Sequence, residues 1–351
     1  MEFKFKTGMN LPKFQLGFLS LGVLFGIASV LFGEIFAAFC APCLALVLLA
    51  EIERGGKKIY TVVLCAASAV ITVLLAVFKF YTATPILCVG AALIIAYLFV
   101  RGASKGEIAF ILTAFFAVCI VLNLWFVLAE ASGSFSFSEI GEYLYEVYDV
   151  VKDAISDTYA EMSGMLVDES ANISSVFTEE YLLLALDSAL KLSLAVLVIL
   201  AFLLTGIALK MFSAFLFRYA KHPRKTFLWR FATSSLIAYF YVALFVLSIF
   251  TGSLNSVFAV TVQNLFYIFL AVYAYIGYNF AMSVLVHKSS SFIAHVAVIG
   301  AILVFGVIAL ELLSVLGVIF TRMSNKITIT VLDSPDDEDN KNGKDDKNDS
   351  N

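Results

Sequence analysis

Charge is scarce in this 351-residue sequence: Asp, Glu, Lys and Arg together supply 14% of it, while hydrophobic residues supply 61%. A water-soluble domain of this size has roughly a quarter of its residues charged, so the shortage excludes one. Catalytic and nucleotide motifs are missing as well. There is no HExxH, no Walker loop and no dinucleotide fingerprint, and His222, His287 and His295 are too scattered for a metal site. No catalytic residue, metal or other cofactor is therefore expected.

What fills the sequence is a series of about eight or nine apolar runs, each long enough for a helix across a hydrocarbon core of about 30 Å. They fall at residues 14–32, 35–50, 59–78, 84–100, 108–129, 190–209, 231–250, 258–284 and 293–320. Backbone in lipid has to satisfy its own hydrogen bonds, and the alternating pattern of an outer-membrane barrel is absent. The runs therefore read as an all-α, polytopic transmembrane bundle. Five parts follow: a basic N-terminus at 1–13, about five membrane helices at 14–129, an acidic insertion at 130–180, three or four further helices at 181–320, and a polar tail at 321–351. The first run has no small-residue cleavage site behind it and reads as a retained helix, and the bulky Phe39 before Cys40 argues against a lipid anchor.

Loop charge sets the orientation. Lys and Arg gather in the N-terminus, at Arg54, Lys57 and Lys58, at Arg101 and Lys105, and above all at Lys210, Arg218, Lys221, Arg224, Lys225 and Arg230, with no acid between residues 210 and 230. The positive-inside rule places these, and the N-terminus, in the cytoplasm. The insertion at 130–180 is acidic throughout, with Lys152 as its only base, and faces outward. From Asp333 onward no aromatic or β-branched residue occurs, and the tail reads as disordered.

Within the insertion, Phe137, Ile140, Leu144, Val147, Val151, Ile155, Tyr159, Met162 and Leu166 recur at steps of three or four, with acids on the other face. The spacing predicts an amphipathic helix with a capping box at Ser136 and Glu139 and a C-cap at Gly164. Two readings stand side by side: a lid over a cavity, or a connector covering helix ends. Thr178 with Glu179 and Glu180 predicts the start of the next helix.

Short motifs point in weaker directions. Cys40-Ala41-Pro42-Cys43 is a CxxC, the spacing of thiol–disulfide enzymes, but Cys65, Cys88 and Cys119 stand singly in other runs and supply no second pair. Gly102 to Gly106 satisfies G-x-S-x-G in a connector between membrane helices, where no nucleophile elbow forms. Asn172-Ile-Ser174 matches a glycosylation sequon and is given no role. Asp187 and Lys191 sit i,i+4 and can pair above a span of about 27 Å beginning at Leu192.

Polar residues inside spans are the substrate-binding candidates: Glu311 first, then His295, Asn279, Gln263, Asn264 and Asn123. Gly22 and Gly26, followed by Ser29 and Gly33, make a small-residue face on the first run, for internal packing or for docking a partner helix.

The chain resembles the YybS-like family of predicted bacterial membrane proteins of unknown function. The resemblance rests on the Pro42 helix running into Arg54-Gly55, the insertion after the fifth span, and Lys221-His222-Pro223 with Phe227 and Trp229. Asn264-Leu265-Phe266-Tyr267 and Leu316-Gly317 before Arg322 complete it. The sequence departs from that pattern at Ile268-Phe269-Leu270-Ala271 and at Val318. The family is distantly similar to the substrate-binding S components of energy-coupling-factor importers. That likeness implies a coupling subunit with ATPases as partner, docked on Gly22 and Gly26, in a bacterial plasma membrane. The expected function is a solute-binding or transport subunit without its own ATPase, its partners a lipid bilayer and a small-molecule ligand and not nucleic acid. A scaffold using the basic loop to bind anionic lipid or protein is the alternative, and a thiol oxidoreductase comes third.

Overall fold

The computed structural model describes residues 5–6, 10–55, 58–78, 80–165, 178–220, 233–251, 256–285 and 291–332. Among these are twelve helices: α1 (Leu11–Phe32), α2 (Ile35–Glu53), α3 (Ile59–Val77), α4 (Thr84–Arg101), α5 (Lys105–Ser132), α6 (Phe137–Met165), α7 (Glu179–Lys191), α8 (Ser193–Tyr219), α9 (Ser235–Thr251), α10 (Val257–Leu285), α11 (Ser291–Phe305) and α12 (Val307–Leu332). Seven of them, α1 to α5, α8 and α10, are long and apolar enough to cross a bilayer. The protein is a multi-pass α-helical membrane protein.

Helix ends follow local chemistry. Asn10 Oδ1 accepts from Lys13 N at the start of α1, Ser104 Oγ from Glu107 N at the start of α5, and Thr178 Oγ1 from Tyr181 N at the start of α7. Gly102 (φ 78°) ends α4 and Gly133 (φ 73°) ends α5 in the left-handed region. The G-x-S-x-G stretch is thus a helix stop followed by a helix start. Pro42 stands inside α2 without ending it.

The chain divides into two compact units. In the first, residues 1–231 and 248–268, α2 is the central helix and is buried along nearly all its length from Ala37 to Glu51, against α1, α4 and α8. Small residues allow the approach: a Cβ on Gly22 would stand 2.5 Å from Leu44 Cδ2, and one on Gly26 would stand 3.7 Å from Cys40 Sγ. The small-residue face of α1 is therefore filled by α2 of the same chain. By contrast α3 exposes Val62, Val63, Val70 and Val73, the apolar surface a lipid-facing helix presents.

The second unit comprises residues 232–247 and 269–351. Its centre is the crossing of α10 and α12, where a Cβ on Gly277 would collide with Leu313 O and one on Gly317 with Tyr273 O. Here the structure departs from the expected single span at 293–320. Gly306 adopts φ 54° and divides that run into α11 and α12. A side chain would resist this conformation, which glycine adopts freely. Helix α12 then continues through Arg322 to Leu332, well past the expected helix end at 320. The tail from 333, expected to be disordered, lies outside the described residues, as do Asn172, Lys221, Arg224, Lys225 and Arg230. Helix α6 runs past the expected cap at Gly164 to Met165.

Candidate functional site

The two ends of the first unit carry different polar chemistry. At the end holding the chain's N-terminus, Phe5 pairs with Ala220 in an isolated bridge and Lys6 N donates to Tyr219 O. Phe5 N also donates to both carboxylate oxygens of Glu53 at 3.1 Å. Glu51, 5% exposed, accepts from Tyr60 N at 2.6 Å, Thr61 N at 3.2 Å and Thr61 Oγ1 at 3.0 Å, and so caps α3. Gln15, fully buried, donates from Nε2 to Val47 O and accepts from Arg54 Nη1. Every one of these side chains is spent on holding backbone or its neighbour. Arg218, which with Lys210 is the described part of the basic cluster, lies 5.8 Å over the ring of Tyr219.

At the opposite end, where α1 turns into α2 and α5 finishes, a cavity of about 300 Å³ opens among α1, α2, α4 and α5. Its polar lining is Ser29, Glu34, Thr82, Thr84, Asn123 and Glu130, with Tyr81 among its aromatic residues. The volume sits at the low end of the range for small-molecule sites, about 300–1,000 Å³. Asn123 organises it. Its Nδ2 donates to Glu34 Oε1 at 2.5 Å and to Thr84 Oγ1 at 3.3 Å, while its Oδ1 accepts from Ala83 N at 2.5 Å and Thr82 Oγ1 at 3.4 Å. Thr82 and Thr84 hydroxyls meet at 2.7 Å. The amide therefore fixes the Glu34 carboxylate and the start of α4 together. Among the described residues, Glu34 Oε2 takes no protein hydrogen bond, and the lining carries two carboxylates and no base. Such a surface favours a cationic or hydrogen-bond-donating solute.

On the α1 side of the cavity, the lining residue Ser29 donates from Oγ to Gly26 O and lies 3.6 Å from Cys88 Sγ, and deeper between α1 and α2 Cys40 Sγ donates to Gly22 O at 3.1 Å. All five cysteines are free thiols, Cys40, Cys43, Cys88 and Cys119 being buried. The CxxC lies inside α2 as packing surface.

Of the predicted substrate-binding residues, Asn123 alone lines this cavity, and Ser29 and Gly33 of the small-residue face line it too. Asn264, on α10 in the same unit, has a different task. Its Oδ1 accepts from Ala195 N at 2.8 Å, and its Nδ2 donates to Lys191 O at 2.7 Å and Val260 O at 2.9 Å. Gln263 beside it is half-buried. In the second unit Glu311 is half-buried on α12, its backbone oxygen accepting from Ser314 Oγ, which in turn meets Tyr241 Oη at 2.8 Å. Tyr241 stacks on Tyr273, whose hydroxyl meets Thr233 Oγ1. Asn279 Nδ2 donates to Tyr275 O one turn back, and His295 packs edge-on to Tyr278 at 6.2 Å. Asp187 and Lys191 form the expected ion pair at 2.6 Å.

Sequence reasoning missed Glu34, Thr82, Thr84, Tyr81 and Glu130. One signal was available: Glu34 is the sole acid in the turn between the first two apolar runs. The chain matches no protein-family model, no curated protein and no solved structure.

Proposed function

We propose that this membrane protein binds a small cationic or hydrogen-bond-donating solute at the face carrying α6, as a binding or transport subunit without its own ATPase. The observation that carries the reading is the Asn123-held Glu34 carboxylate lining a cavity of about 300 Å³. The basic residues Lys6, Arg54, Lys58, Arg101 and Lys105 lie at helix ends opposite to Glu34, Glu130 and acidic α6, which supports a cytoplasmic N-terminus and an outward cavity. A coupling subunit with ATPases, and kinship with the YybS-like family, belong to this reading as proposals.

Native mass spectrometry of protein extracted gently from its own membrane tests it. A retained cationic or polar metabolite, lost in Glu34→Gln protein of unchanged thermal stability, is the expected result. Protein that carries only lipid, and whose melting temperature is unmoved by a panel of organic and inorganic cations, would overturn the reading in favour of a scaffold.

A further inference from the structure

Within the first unit, α6 and α7 are joined to the membrane helices by two joints of unusual build. At the α7–α8 joint, the ordinary helical bond from Ala195 N to Lys191 O is replaced by the Asn264 amide, which accepts from Ala195 N and donates to Lys191 O. An inserted side chain opens the helix there, and Leu192 leaves the helical geometry at φ −95°, ψ 4°. At the α5–α6 joint, Gly133 holds φ 73° with nothing within 4 Å of a Cβ built on it. Between these joints the apolar stripe of α6 is largely uncovered: Ile140, near the root, is 3% exposed, whereas Leu144 is 45% exposed and Val147 and Val151 are 38% exposed.

The root of α6 also touches the cavity. Phe135, in the turn ahead of α6, packs edge-on against the cavity residue Tyr81 at 5.4 Å, and Phe137 lies 3.9 Å from Trp125. We propose that α6 and α7 are a hinged lid, turning at Gly133 and Leu192, that lowers the exposed Leu144 stripe onto the apolar rim of the cavity at Phe80. The proposal rests on the cavity being the binding site. Closure would cover both apolar surfaces and exclude water around Glu34, while Tyr81 transmits cavity occupancy to the root through Phe135.

Paired cysteines read the motion without any ligand. In a Cys65→Ser background, Phe80→Cys with Leu144→Cys reports closure, and Trp125→Cys with Phe137→Cys reports the root beside the pivot, where a turn at Gly133 displaces the chain least. Oxidation by copper phenanthroline in native membranes is expected to link both pairs. Asn264→Leu lets Ala195 bond Lys191 directly and stiffens the joint, so it lowers the Phe80–Leu144 yield about fivefold with the root pair unchanged. Gly133→Ala acts at the other joint and is expected to lower it too, which keeps the test open if Asn264→Leu protein fails to insert. Absence of the Phe80–Leu144 link beside a full root link would overturn the lid, as would equal yields in both joint variants and their parent. Solute binding is not read in this assay, so a failed lid leaves the cavity reading standing, and Glu34→Gln decides that reading separately.

Discussion

At the basic end of the first unit, Glu51 and Glu53 give their carboxylate oxygens to backbone N–H groups, whereas at the other end Glu34 is held by a side-chain amide beside a cavity and Glu130 is exposed. A carboxylate committed to backbone donors fastens a helix start or a chain end and has little left to offer a ligand. One positioned by an amide, with an oxygen unclaimed, keeps its geometry and its capacity to accept. The difference separates the end whose carboxylates are committed to holding the fold from the end to which the proposed function assigns recognition.

The comparison breaks most visibly at Glu51. Glu51→Ala leaves the first N–H groups of α3 without their acceptor in a buried place, at a cost on the order of 3 kcal/mol. Thermal unfolding in detergent should show a drop of several degrees, and a melting temperature within one degree of the parent, about the error of such a scan, would show the cap to be ornamental. Asn123→Leu is expected to cost less, about 2 kcal/mol, through the stranded Ala83 N–H. It should also release Glu34 and abolish solute binding. Retained binding in that variant would separate the amide from the recognition role.

The membrane helices were legible because lipid permits few alternatives: an apolar run of sufficient length has to close its backbone bonds as a helix, and α1 to α5 begin and end within a few residues of the runs. The starts at Ser104 and Thr178 were legible from side chains that accept from their own first turn. The break at Gly306 was not, since glycine is common inside membrane helices and only packing decides whether it turns to positive φ. Nor was the cavity, because Glu34 and Asn123 meet across 89 residues of sequence. Asn264 was visible as a polar residue within a span, but its entry into another helix's bonding pattern depends on where α10 lies against the α7–α8 joint.

The small-residue face of α1 gives a graded test of how tightly the bundle is drawn around α2. Gly22→Ala pushes a methyl to 2.5 Å of Leu44 and should cost about 1–2 kcal/mol, softened by the freedom of the leucine's end. Gly26→Ala places its methyl 3.7 Å from Cys40 Sγ, an ordinary contact, and should change stability by less than about 0.5 kcal/mol. Equal destabilisation by the two would mean that helix flexibility, and not contact with α2, is what the glycines supply.

The smallest expected effect on stability is also the sharpest test of the contrast between the two ends. Glu130 is exposed at the end of α5 and lines the cavity, so Glu130→Gln should leave thermal unfolding unchanged within about 0.5 kcal/mol. Yet it removes one of the two negative charges facing a bound cation. If the cavity recognises charge, calorimetry with the solute identified by mass spectrometry should show binding weakened by about tenfold, and the loss should shrink as salt screens the remaining attraction. Unchanged affinity would leave Glu34 and its amide as the sole electrostatic contact, and would restrict recognition to the part of the cavity nearest the α1–α2 turn.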